Sequence, residues 1–226
     1  YSPASGRGLA PYDLTPFEAD MGLAFDDNGI ARPEWPRPPV YDDTPCIVGA
    51  GNEASLNACL DRPGKHIIIP AGDYVGPFTV RQNDQWLEMS NGATMYGGLV
   101  TGRENSRIRI TGGNIVAGSV SVLGTDDLLF DNVNFELVRP GIRDGFTTCV
   151  NGTMCERVAV INSTCIATTA CDITTPRPKG GMTSLIIANF DAWSRFDPGT
   201  PGNAEFVSRL QNTDRVMVVD SHFRVY

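Results

Sequence analysis

Five stretches of this chain can be laid over one another: SRIRITGGNI (106–115), DLLFDNVNF (127–135), RVAVINSTCI (157–166), SLIIANFDA (184–192) and RVMVVDSHF (215–223). Weaker copies precede them at IIIPAGDY (67–74) and LEMSNGAT (87–94). Each alternates apolar with other residues and then reaches Asn, Asp or Gly. A period of two is that of a strand, whose successive side chains point to opposite faces, and the β-branched residues agree. A helical reading fails on the period. One strand recurring once per repeat means a coil of stacked strands.

The first inward column reads Ile67, Leu87, Ile108, Leu128, Val158, Leu185 and Val216, with steps of 20, 21, 20, 30, 27 and 31 residues. The second reads Ile69, Met89, Ile110, Phe130, Val160, Ile187 and Val218. A third column, Ala71, Asn91, Gly112, Asn132, Asn162, Asn189 and Asp220, falls where the strand turns a corner and frees backbone groups. Stacked amide side chains satisfy such groups, so Asn132, Asn162 and Asn189 are expected to be buried and bonded along the coil. With this corner ladder the chain resembles the pectate-lyase-like parallel β-helix superfamily over roughly residues 46–226. The resemblance implies an all-β, right-handed parallel β-helix of about seven turns. That scaffold serves lyases, hydrolases, epimerases, tailspikes and adhesins, so it implies a fold rather than one activity.

In this superfamily a short helix commonly plugs the first turn. The stretch GNEASLNACLDRPGKH (51–66) suggests one near 52–61, with Leu56, Cys59 and Leu60 on one face and Pro63-Gly64 ending it. A Cys46–Cys59 bridge would tie the entering chain to that plug. Residues 1–45 differ in kind, with eight prolines, no sustained period and large apolar groups such as Phe17, Phe25, Trp35 and Tyr41. They read as an extended arm that docks on something rather than a disordered tail.

The outward positions of the later strands show where. Leu129, Ala159, Ile161, Ile186, Ala188, Met217 and Val219 make an outer face that reads apolar over adjacent strands. A solvent-facing sheet should not. This face is expected to be covered, by the chain's own arm or by a second subunit. Together with Phe223 and Tyr226 on the last turn, it forms the expected subunit interface. Nothing after Tyr226 closes the coil, which would leave a row of unpaired backbone groups there. The arm or first turn of a neighbouring copy is the expected partner, by head-to-tail contact or arm exchange.

Lys+Arg 18 against Asp+Glu 26 gives a net charge of −8, which argues against nucleic acid as a main partner. No apolar run reaches the ~20 residues of a bilayer span. The chain opens on Tyr1 without a signal-peptide pattern, which suggests a processed N-terminus or the boundary of a longer polypeptide. Six cysteines fall in the close pairs Cys46/Cys59, Cys149/Cys155 and Cys165/Cys171, a count that fits disulfides in an oxidising compartment. Buried thiols are the alternative, and adjacent turns could also bring Cys149 or Cys155 to Cys165 or Cys171. Of two sequons, the one at Asn151 sits in a loop open to glycosylation, and the one at Asn162 falls on the corner ladder.

The longer late turns carry inserts at 138–155, 165–181 and 193–209, which read as loops. The charges in and beside these inserts, Arg139, Arg143, Asp144, Asp172, Arg177, Lys179, Asp191, Arg195 and Asp197, form no lyase motif. The polygalacturonase resemblance fails too: Asn212-Thr213-Asp214 reads as turn chemistry, Asp126-Asp127 lies upstream of it, and Gly-His-Gly is absent. Trp193 and Phe196 beside Arg195 and Asp197 are a candidate sugar-stacking platform, or aromatics that hold the loop to its own sheet. No cofactor or metal set is legible; His66 and His222 stand six turns, about 29 Å, apart. The leading expectation is a secreted, self-associating structural subunit at the cell surface or in the extracellular space. The alternatives are a polysaccharide lyase or glycoside hydrolase and a carbohydrate-binding adhesin module.

Overall fold

The computed structural model of this chain describes residues 36–102, 105–117, 119–122, 124–137, 145–148, 154–167, 173–174, 181–194 and 213–225. After β1 (Cys46–Ile47) comes helix α1 (Glu53–Leu60), and the coil then begins. Its first turn is β2 (Lys65–Ile69), β3 (Gly72–Val75) and β4 (Phe78–Val80), its second β5 (Gln85–Met89), β6 (Ala93–Tyr96) and β7 (Leu99–Thr101). The third is β8 (Ser106–Thr111), β9 (Asn114–Ala117) and β10 (Ser119–Val122). The fourth is β11 (Asp126–Asp131), β12 (Asn134–Leu137) and β13 (Gly145–Thr148). Then follow β14 (Met154–Cys155), β15 (Val158–Ile161), β16 (Thr164–Ala167), β17 (Ile173–Thr174), β18 (Gly181–Ala188), β19 (Asp191–Ser194), β20 (Thr213–Val219) and β21 (His222–Val225).

Every pairing is parallel and joins one turn to the next, so the strands cycle through three sheets and the protein is a parallel β-solenoid. The first sheet starts at β1 and β2, the second runs from β3 to β21, and the third from β4 to β17. The third sheet was not legible as strands. Its members β13 and β17 occupy inserts expected to be loops, and Thr213 and Asp214 lie in β20 rather than in a turn.

The inward columns meet inside the coil. Ile67, Ile69, Leu87, Ile108, Ile110, Leu128, Phe130, Val158, Val160, Leu185 and Ile187 are all buried. Phe78, Leu99 and Val120 from the third sheet and Tyr74, Met95, Ile115 and Phe135 from the second complete the core. One register differs from the expected stack. Leu87 pairs with Ile110 and Gln85 with Ile108. A slip of two residues keeps every side chain on its face, so alternation alone does not detect it.

Gln85 therefore stands in an inward column, fully buried, and donates from Nε2 to the carbonyls of Leu60 (2.9 Å) and Arg62 (2.7 Å). Those carbonyls belong to the end of α1, where helical partners run out. The helix starts on Asn52, whose side chain accepts from the Ser55 N–H at 2.9 Å. It buries Leu56, Cys59 and Leu60 over the first turn. The Cys46–Cys59 disulfide joins it to β1, as expected. Cys155 and Cys165 are also disulfide-bonded, but their partners lie outside the described residues, as do Cys149 and Cys171.

The first-sheet strands β8, β11 and β15 are bracketed by left-handed residues. Arg107 and Asp127, second in β8 and β11, and Arg157, just before β15, have φ of 58°, 54° and 53°, while Asn132, Asn162 and Asn189 follow β11, β15 and β18 with φ of 57°, 50° and 49°. At Gly112, φ is 71° and an added Cβ would sit 2.3 Å from the Met89 carbonyl oxygen. Asn and Asp tolerate this conformation better than most residues, and Gly tolerates it freely. The corner column is thus set by backbone conformation more than by buried amides. Asn132 is exposed and Asn162 and Asn189 are half-buried. A partial ladder exists: Asn189 Nδ2 donates to Asn162 Oδ1 (2.8 Å), and Asn162 Nδ2 to Asp131 Oδ1 (2.9 Å). Ala71 and Asn91 are not left-handed; in the second turn that role falls to Gly92 (φ 86°).

The apolar outer face is buried within the single chain. Leu129 is 6% exposed, Ile161 2%, and Ala159, Ile186 and Ala188 0%. Burial of these four interface candidates, Leu129, Ile161, Ile186 and Ala188, needs no second subunit. Val219 is half-buried, and the side chains of Met217 and Tyr226 lie outside the described residues. Phe223 belongs to an inward column, paired with Ala192, yet is 37% exposed.

Candidate functional site

Two residues beyond each left-handed corner the chain enters the second sheet, so outward positions there repeat at fixed offsets from the corner. The first outward column is Asp73, Thr94, Asn114, Asn134, Thr164, Asp191 and His222. It is polar throughout and bonded to itself. Asn114 Nδ2 donates to Thr94 Oγ1 at 3.3 Å, and Asn134 Nδ2 to Asn114 Oδ1 at 3.1 Å. Thr164 Oγ1 donates to Asn134 Oδ1 at 2.8 Å, and His222 Nδ1 lies 2.9 Å from Asp191 Oδ1.

Two residues further along each strand is the second outward column: Val75, Tyr96, Val116, Glu136, Ile166, Trp193 and Arg224. It is amphipathic, and part of it faces water. Val75 is 64% exposed and Tyr96 38%. Trp193 is half-buried, and the Arg224 guanidinium carbon stands 5.9 Å from its ring centroid. At that distance the cation is held over the ring's negative face. The two columns lie side by side, one row offering donors and acceptors and the other mainly apolar and aromatic faces.

Of the expected sugar platform, Trp193 is on this surface, while Arg195, Phe196 and Asp197 lie outside the described residues. So do Asn151 and the loop charges Arg139, Arg143, Asp144, Asp172, Arg177 and Lys179. The sequence reading missed the Asp191–His222 pair, Arg224 and Tyr96. Asp191, His222 and Arg224 lie two or four residues past Asn189 or Asp220 in the repeat alignment, which was their signal, whereas Tyr96 keeps that offset only from Gly92, the corner the structure shows.

The first sheet carries a second cluster at its early turns. His66 and Trp86 stack with centroids 4.2 Å apart and planes 9° from parallel. Tyr41 leans on both, at 5.6 and 5.9 Å. Glu88 Oε2 lies 2.6 Å from His66 Nε2, Trp86 Nε1 donates to Thr111 Oγ1 at 2.9 Å, and Arg109 sits 5.9 Å from the Trp86 centroid. This cluster is held together by its own contacts.

Among the described residues no group of three or more His, Cys, Asp or Glu could hold a metal ion, and no helix is long and apolar enough to cross a membrane. The chain matches no protein-family model, no curated protein and no solved structure. What the architecture itself establishes is a parallel β-solenoid with two outward side-chain columns on its second sheet.

Proposed function

We propose that this protein is an extracellular carbohydrate-binding solenoid that holds a neutral polysaccharide along the outer face of its second sheet. The observation that carries this reading is the pairing of the two columns. A sugar polymer presents hydroxyls at its edges and C–H surfaces on its faces. The Thr94–Asn114–Asn134–Thr164 row suits the hydroxyls, and Tyr96, Val116, Ile166 and Trp193 suit the C–H faces. Strand spacing of about 4.8 Å repeats these groups at intervals comparable to the advance of an extended polysaccharide. The net charge of −8, with Asp73, Glu136 and Asp191 on the face, disfavours a polyanion. The Cys46–Cys59 disulfide supports an oxidising location. The resemblance to the pectate-lyase-like superfamily adds the association of such scaffolds with polysaccharides.

Affinity electrophoresis through neutral polysaccharides tests it. Retardation of the wild type should be lost in Trp193→Ala and weakened in Arg224→Ala and Tyr96→Ala. Equal migration of wild type and Trp193→Ala in every polymer would end the proposal.

A second reading, self-association, has its own observation. Val216 and Val218 continue the buried columns of Leu185 and Ile187, yet are 39% and 43% exposed. Together with Phe223 they form an exposed apolar patch on which a second copy could pack. Sedimentation velocity over a concentration series checks this: Val218→Asp should leave a monomer where the wild type associates.

A further inference from the structure

Residues 36–44 run along the solenoid axis, across the ends from which the first-sheet strands start. They touch it through one column of left-handed residues: Gly64, Asp84, Arg107, Asp127 and Arg157. The Asp42 N–H donates to the Gly64 carbonyl at 3.1 Å in the first turn. The Val40 N–H donates to Asp84 Oδ1 at 2.8 Å in the second. The Arg37 N–H donates to Asp127 Oδ1 at 3.0 Å in the fourth, and Arg37 Nε to Asp127 Oδ2 at 2.7 Å.

The spacing is commensurate. From Val40 back to Arg37 is three residues, about 9–10 Å of extended or polyproline chain. From Asp84 to Asp127 is two turns, also about 9–10 Å at the strand spacing. The proline positions obey the same rule. Pro36, Pro38 and Pro39 have no N–H to offer, and the donors at Arg37 and Val40 are the ones aimed at carboxylates. Pro36 and Pro39 are buried, so their rings also pack. Each carboxylate is preset by a partner of its own: Asp84 by Arg107 and Asp127 by Arg157. Neither depends on residues 36–44 for its orientation.

We propose that this rim is a peptide-binding site for extended, proline-rich segments of the pattern Arg-Pro-Pro-x, in which Arg and x supply backbone N–H groups three residues apart. Residues 37–40 are its resident occupant. Polyproline structure lowers the ordering cost of such a ligand, the two carboxylates set its register, and the guanidinium on Asp127 sets its polarity.

The test uses the full chain carrying Arg37→Ala and Val40→Pro, which weakens the resident segment without touching the rim. A fluorescent peptide of residues 36–44 should bind this variant and compete poorly for the wild type. Three altered peptides should each bind at least about tenfold more weakly, the cost of losing a charge-assisted bond or the register. One carries Arg37→Ala, one Val40→Pro, and one an extra proline between Pro38 and Pro39. Failure of the native peptide to bind a folded variant, or equal binding of all four peptides, overturns the proposal. Should the variant not fold, amide exchange on the wild type decides: Arg37 and Val40 amides must be protected, and exchange at the unfolded rate overturns it.

Discussion

Asp127 and Arg157 face each other from adjacent turns, both left-handed, with Arg157 Nε 2.5 Å and Nη2 2.9 Å from the two carboxylate oxygens. The Asp127 side chain is 0% exposed and that of Arg157 11%, so the pair is bidentate and almost dry. Burial pushes the Asp127 carboxyl up, but the bonds from Arg157 and Arg37 outweigh it and hold the group below the ordinary aspartate value of 3.8. On Arg157, burial opposes the charge, and the carboxylates of Asp127 and Glu156 outweigh that and raise its pKa.

Asp127→Asn should therefore cost about 3–5 kcal/mol at neutral pH, because it strands a buried guanidinium. Asp127 is depressed in the folded state, so its contribution is present above pH 3.8 and is lost as pH falls through the folded value. Asp84, where burial also raises the pKa but Arg107 and the Val40 N–H prevail, adds to the same acid limb. Asp126 and Asp131 are raised by burial and act in the opposite sense, costing stability above pH 3.8. Urea unfolding over a pH series should show a shallower acid loss for Asp127→Asn than for the wild type. Parallel slopes would mean that Asp127 is not what acid removes.

Gln85→Leu tests the slipped register. In the expected stack position 85 lies beside Ser106 in a polar row, where a leucine abandons no buried partner; in this one it stands beside Ile108, and a leucine deserts the carbonyls of Leu60 and Arg62 at the end of α1. The expected loss is about 1–3 kcal/mol, read as a shift in the urea midpoint.

Asn162 separates conformation from side-chain bonding. Alanine at φ 50° should cost about 1–2 kcal/mol, whereas glycine should cost less because it accepts that φ freely. Equal losses would place the energy in the bonds to Asp131 and Asn189 instead. Glycosylation at Asn162 would also break its donation to Asp131, so intact-mass analysis should find that site unmodified.

Replacing both Cys46 and Cys59 by alanine should cost about 2–4 kcal/mol, since the bridge closes a loop of 13 residues in the unfolded chain. Thermal unfolding of the double variant beside the wild type, both without reductant because Cys155 and Cys165 are disulfide-bonded too, should read that shift.

If the second sheet binds a polymer, affinity should rise with oligosaccharide length and level off near the length of the face. Six steps of about 4.8 Å span roughly 29 Å. Calorimetry on a ladder of oligosaccharides reads this directly, and a length-independent affinity would confine recognition to the Trp193 end.

The sequence by itself determined the elements whose causes are local. Alternation placed Leu128, Phe130, Val158 and Val160 inside, and Asn132, Asn162 and Asn189 marked the corners because few other residues take positive φ. Helix α1 was legible from Leu56, Cys59 and Leu60 and from the breakers at Pro63-Gly64. The tertiary structure decided what depends on distant partners. A two-residue slip between β5 and β8 leaves every face unchanged, and strands as short as Phe78–Val80 and Leu99–Thr101 are too brief to show a period. The docking of Arg37 on Asp127 joins residues 90 positions apart, and the Asp191–His222 pair joins residues 31 apart. Contacts of that kind arise from where the coil returns after each turn, and the length of each turn is set by packing around the whole circuit rather than by any stretch within it.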